Sequence, residues 1–126
     1  MTFADDVVNW LASQGVGTVA ETLFQGQLPP DPLDVILVVE TGGRAFDRVR
    51  RVQPLTLQVI SRGTSYAAAR MAAWRVHALL DSPSDSRLMG TTKVIYSKAI
   101  QPPFALGQDT RQAWRFSCNY EFLVQR

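Results

Sequence analysis

The order of apolar and polar positions predicts a helix, three strands, a second helix and two further strands. The clearest segment is the last. From Thr110 to Gln125, apolar Trp114, Phe116, Cys118, Tyr120, Phe122 and Val124 alternate with polar Arg111, Arg115, Ser117, Asn119, Glu121 and Gln125. That period of two is the mark of a half-buried strand. At about 3.3 Å per residue it would run roughly 40–50 Å, longer than most strands. Part of it is therefore expected to reach past a compact domain and pair with neighbours.

At the other end, residues 2 to 14 read as a helix with Thr2 as N-cap, Asp5 and Asp6 at the positive end of its dipole and Gly15 ending it. Phe3, Val7, Trp10 and Leu11 form its apolar stripe. Val19 to Leu28 suggests a weak strand, closed by a loop with Pro29, Pro30 and Pro32. Leu33 to Thr41 is the second strand. Its unbroken run from Val35 to Val39 implies burial on both faces, by helices on one side and another subunit on the other.

Gly42 and Gly43 then read as a turn, and residues 44 to 53 show no clean period. Alternation resumes at Leu55, Leu57 and Val59 and runs to Arg62. Tyr66 to Leu80 is the second helix, with Tyr66, Ala69, Ala73, Val76 and Leu80 at three- and four-residue steps. Residues 81 to 86 form a polar loop, 93 to 101 a fourth strand, and 102 to 109 a connection to the last one. Short turns between successive strands favour an α+β fold: a single domain, residues 1–126, with a mixed or antiparallel sheet and two main helices packed on one face.

Composition narrows the function more than the fold. The chain of 126 residues fits one domain. No apolar run approaches the roughly 18 residues of a membrane span. The acidic, non-basic start argues against a targeting leader. The lone cysteine, Cys118, lies on the apolar face of the last strand and reads as a buried structural thiol. One histidine, His77, and one cysteine exclude the usual zinc sites. Asp81 and Asp85 flank a loop rather than a recognisable cation site, and neither Gly42-Gly43 nor Gly15-Val16-Gly17 has the context of a phosphate-binding loop. No nucleophile and base are paired, so neither catalysis nor a cofactor or metal is expected.

The net charge is only +2, but eleven of the thirteen basic residues are arginine. Arg44, Arg48, Arg50 and Arg51, with Arg62 nearby, form the strongest local charge feature, interrupted only by Asp47. Arginine at this density suits a subunit or partner contact. A specific nucleic-acid module would need interleaved aromatics, and only Phe46 is present. Trp10 and Trp114 lie on core faces. Trp74 falls away from its helix stripe and either packs on a flank or makes an intermolecular contact.

Several segments, in order, resemble the tail terminator (tail completion, or minor capsid) proteins of long-tailed bacteriophages. They are Leu57 to Arg62, the alanine-rich helix Tyr66 to Leu80, the turn Pro103-Phe-Ala-Leu-Gly-Gln-Asp109 and the strand Arg115-Phe-Ser-Cys-Asn-Tyr-Glu-Phe122. The resemblance covers about the last 70 residues. It implies a virion protein, assembled in the host cytoplasm, that forms a ring of six copies on the head-proximal end of a tail tube. Such a ring stops polymerisation and offers a surface to the head–tail connector. Its partners would be other copies of itself, the tube protein and the connector, with genomic DNA only passing through and no membrane. Another connector or tube-like ring protein, or a small nucleic-acid-binding module, are the alternatives. The candidate contacts are Arg44, Arg48, Arg50, Arg51 and Trp74.

Overall fold

The computed structural model describes residues 2–30 and 32–125. Helix α1 (Phe3–Ser13) begins with a reciprocal cap. The Thr2 hydroxyl accepts from the Asp5 amide while the Asp5 carboxylate accepts from the Thr2 amide. This satisfies two of the donors that a helix start leaves unpaired. The chain leaves the helix through Gly15, at φ +83°. Then follow β1 (Leu23–Gln25), β2 (Val35–Gly43), β3 (Val52–Gly63), α2 (Tyr66–Leu80), β4 (Arg87–Met89), β5 (Thr92–Ala99), β6 (Phe104–Gln108) and β7 (Trp114–Gln125).

The seven strands make one mixed sheet in the order β1-β2-β3-β7-β5-β4, with β6 also on β7. Among the described strands the β1–β2 pair is parallel and the other pairs are antiparallel. Edge strands β1 and β4 both touch α1, so the sheet curls around that helix. Helix α2 lies over β3, β7 and β5. Both helices pack on the same face, as the pattern predicts. Ala4, Val7, Val8 and Leu11 of α1 and Val76 and Leu80 of α2 share one core with Ile36, Val38, Leu57, Val59, Val94, Cys118, Tyr120, Phe122 and Val124.

The last strand has a different role from the one its length suggests. Its 12 residues are paired along their whole length with β3, from Trp114 opposite Gly63 to Gln125 opposite Val52. On its other side β6 covers the first part and β5 the last. It is the spine of the domain, flanked on both edges, and does not reach beyond it. Two short strands escape the periodicity. β4 has three residues, too few to show a period, and β6 falls in the stretch read as a connection. Strand β6 continues the direction of β5 after a break at Pro102-Pro103, where two residues have no amide to donate to β7. Gly42 and Gly43, expected as a turn, are the last residues of β2 beyond a register shift. The first strand shrinks to Leu23–Gln25.

The expectation for the second strand holds on one side. Val35, Ile36, Leu37 and Val38 are all buried, but among the described residues no helix covers the face opposite α1 and α2. There the register sets Phe24, Leu37, Ile60, Ser117 and Phe104 in one row across five strands. Cys118 is buried, its thiol 2.9 Å from the Gln101 carbonyl oxygen, and burial pushes its pKa up. It is a packed side chain, as expected. Gly63 is needed because α2 starts so close above β3. A Cβ there would lie 2.7 Å from the Ala69 nitrogen.

Candidate assembly surfaces

Strands β2 and β3 form a long hairpin whose tip, residues 44–51, carries the predicted arginines at the end of the sheet where Val52 faces Gln125. Asp47 builds the tip. Its carboxylate accepts from the Val49 and Arg50 amides, its own amide donates to the Val52 carbonyl, and its carbonyl accepts from Arg51. Arg51 takes a positive φ of 59° to close the turn. The one acid among the arginines is thus occupied with backbone. Its remaining ion pair, to Arg50 at 3.9 Å, is exposed and weak. Arg44, Arg48, Arg50 and Arg51 are all exposed, with Val49 between them 94% exposed. A turn held by the Asp47 side chain and its own backbone asks little of these guanidiniums, which suits a charged contact surface.

Arg62, grouped with the tip in the sequence, belongs to the opposite end of β3 and is buried. It points to the helix-free face and donates to the carbonyls of Leu33, Pro29 and Pro32 at 2.6–2.9 Å. It is the clamp on the proline loop, which Arg111 also reaches through the Pro30 carbonyl. Adjacent to it, Asp109 holds the β6–β7 turn by accepting from the Arg111 and Ala113 amides. The Ala113 amide chiefly, then that of Arg111 and the charges of Arg62 and Arg115, keep its carboxyl below the usual carboxylate range. The folded chain therefore holds this proton more weakly than the unfolded chain does. The turn's contribution is complete above about pH 4 and is lost as the pH falls through the lower folded value. Asp109→Ala should reproduce the acid state at neutral pH. In native-state hydrogen exchange the Ala113 amide loses protection while that of Tyr120 keeps it; equal protection of Ala113 in both proteins would remove this role.

Trp74 sits on the solvent side of α2, away from the arginine tip, and the structure does not join the two. Arg70 lies 5.4 Å from its ring centre and His77 meets it edge-on at 5.0 Å. His77 in turn lies 3.6 Å from Asp81 and packs near Tyr120. Trp74 is thus both packed on a flank and partly exposed. Met71, one turn away, is 69% exposed, and Tyr66, Ala67 and Ala78 extend this outer surface. Helix α2 holds no acidic residue at all. A solvent-facing helix surface is ordinarily polar, and this one has the methionine, aromatic and arginine content of an interface.

Two further surfaces were missed by sequence reasoning. Along the β6 edge, Ile100, Phe104 and Leu106 are each more than two-fifths exposed. A signal for this one is visible: residues 99 to 108 contain no charged side chain. A groove of about 330 Å³ runs between α2 and the start of β2, lined largely by Val16, Val35, Ile36, Met71 and Ala72. No sequence pattern announces it, because its walls come from three distant segments. Among the described residues no group of three His, Cys, Asp or Glu is placed to hold a metal ion, and no helix is long and apolar enough to cross a membrane.

Comparison with known proteins matches residues 10–126 to the family model described as bacteriophage tail terminator protein. Among solved structures, a chain from the virion of a native gene transfer agent particle is similar, with TM-score 0.57 and 18% identity over 82% of this chain and 78% of that one. A second solved chain, of no stated function, gives TM-score 0.52 and 16% identity over 95% of this chain and 89% of that one. At these identities the likeness is one of fold. No curated protein matches.

Proposed function

Since this chain belongs to the bacteriophage tail terminator family, we propose that it forms a ring of six copies on the head-proximal end of a tail tube, ends tube polymerisation and offers the surface to which the head–tail connector joins. The family match over residues 10–126 carries this reading. It is a function of binding without chemistry. A closed ring presents identical patches to a six-fold tube, and each weak contact is multiplied by the symmetry. Its place is the virion, after assembly in the host cytoplasm, and DNA passes through without sequence-specific contact.

The arginine tip is assigned to a neighbouring subunit or the tube. Four exposed guanidiniums on a self-supporting turn favour a charged partner surface, and a contact made by them weakens as ionic strength rises. Charge reversal at both Arg48 and Arg50 should lower ring or tube binding by tenfold or more, about 1.4 kcal/mol. Thermal stability should stay near that of the parent, because both side chains are exposed. Unchanged assembly across a salt series would remove the tip from the interface.

The reading itself is tested by native mass spectrometry and negative-stain imaging of the purified protein, alone and mixed with tail tubes. Six-fold rings, free or capping tube ends, are expected. A monomer that ignores tubes at high concentration would refute it.

A further inference from the structure

We infer that protomers join head to tail through two surfaces flanking α2: the uncharged β6 edge of one copy seats in the apolar groove between α2 and β2 of the next. This rests on the ring reading above and names the surfaces that would build the ring.

Strand β6 is an edge with one ladder partner, β7. Sheet edges left in water are commonly kept very short or guarded by charge. The other two edge strands, β1 and β4, have three residues each. Strand β6 has five and no charge, and it displays Phe104 and Leu106 with Ile100 just before it. A register shift between Ala105 and Gly107 leaves Leu106 out of the regular pairing with β7. These side chains form an apolar ridge that the described residues leave about half uncovered.

The groove on the opposite flank has the complementary character. Its polar lining groups already have partners inside the molecule. Asp34 accepts from the Thr64 amide, Arg75 donates to the Gly15 carbonyl, and Arg62 is committed to the proline loop. What remains open is apolar wall. A small polar ligand would find few unused groups to bind, whereas aliphatic and aromatic side chains would remove wall and ridge from water together.

Position selects a second copy as the occupant. One lateral row of the sheet runs Leu23, Ile36, Ser61, Phe116, Ala105. Ile36 lines the groove and Ala105 belongs to the ridge strand, so the two surfaces stand at one level with β3 and β7 between them and cannot meet within one chain. Each copy therefore carries both the ridge and the groove. Joining them is a heterologous contact, the kind that builds a ring when its rotation closes.

The test couples single-cysteine variants. Full-length Leu106→Cys and Met71→Cys proteins, both in a Cys118→Ala background, are mixed and treated with a short bismaleimide. A cross-linked heterodimer well above the homodimers is expected. A double variant, Leu106→Cys with Met71→Cys, should give a ladder ending at the ring size. Homodimers alone, or no ladder, would overturn the docking. In a second measurement the reporters move to Phe104→Cys with Ala68→Cys in the same background, and either Leu106→Arg or Met71→Arg is added. Each added arginine should abolish the ladder those reporters give. A ladder as strong as that of the reporters alone would overturn the docking equally. The two readings fail separately. Rings that cap tubes without coupling these positions sink the docking alone, whereas coupling by a protein that ignores tubes sinks the terminator reading.

Discussion

Tyr120→Ala should be the most damaging single change, lowering stability by about 3–5 kcal/mol and the melting temperature by roughly 10–20 °C. Tyr120 is fully buried at the middle of the spine strand, opposite Leu57 on one side and Ala99 on the other. Its ring closes the space beneath α2 beside His77, at 6.1 Å between ring centres. Removing it opens a cavity where β3, β5, β7 and α2 converge, and a sheet paired on both sides cannot collapse to fill it. The hydroxyl matters less. It stands 3.4 Å from His77 Nδ1, a long contact, and burial pushes the phenol pKa upward, so it stays protonated. Tyr120→Phe should cost about 1 kcal/mol or less. Urea denaturation of the three proteins separates packing from hydrogen bonding. Similar midpoints for the Ala and Phe variants would mean that the hydroxyl, not the ring, holds the site.

Arg62→Met should cost about 2–3 kcal/mol, although it replaces a charged side chain with an apolar one of similar length. The guanidinium supplies donors to three carbonyls of the loop between β1 and β2. Those oxygens have few alternatives, since the proline loop is poor in amide donors. Arg62→Lys should recover only part of the loss, because one ammonium cannot reproduce the fork. Limited proteolysis gives the specific readout. Cleavage between residues 26 and 34 should be faster in the Arg62→Met protein than in the parent, with Arg62→Lys between them. A cleavage rate equal to that of the parent would show the clamp to be dispensable. The same loop borders the groove through Asp34 and Val35, so loosening it should also weaken the head-to-tail contact.

Much of this molecule follows from local rules. The capped first helix, the boundaries of α2 and the alternation of the last strand are properties of neighbours a few residues apart, and a single chain displays them directly. Thr2 with Asp5, and Ser65 accepting from the Ala68 amide, are such local devices. The apolar run Val35–Val38 announces its burial in the same way. The arginine cluster is also legible, because charge density needs no distant partner to be recognised, although the turn that carries it does not sit at the expected Gly42-Gly43.

What the pattern could not reveal depends on segments far apart in the chain. Arg62 resembles its neighbours Arg50 and Arg51 in the sequence, yet sits buried at the other end of the same strand because three carbonyls from residues 29–33 meet it there. Strand β6 has too weak a period to be seen, and exists because β7 offers it a ladder. The length of β7 suggested reach, and only its pairing with β3, β5 and β6 shows that the length is used internally.

The helices, the strand character of the core segments, the α+β class and the arginine cluster are all written in short stretches of sequence, because hydrophobic period, capping and charge density act over a few residues. The tertiary structure alone decided which strands became neighbours, which arginine was buried, and which apolar side chains stayed uncovered. Burial and hydrogen-bond satisfaction are settled by partners distant in the chain.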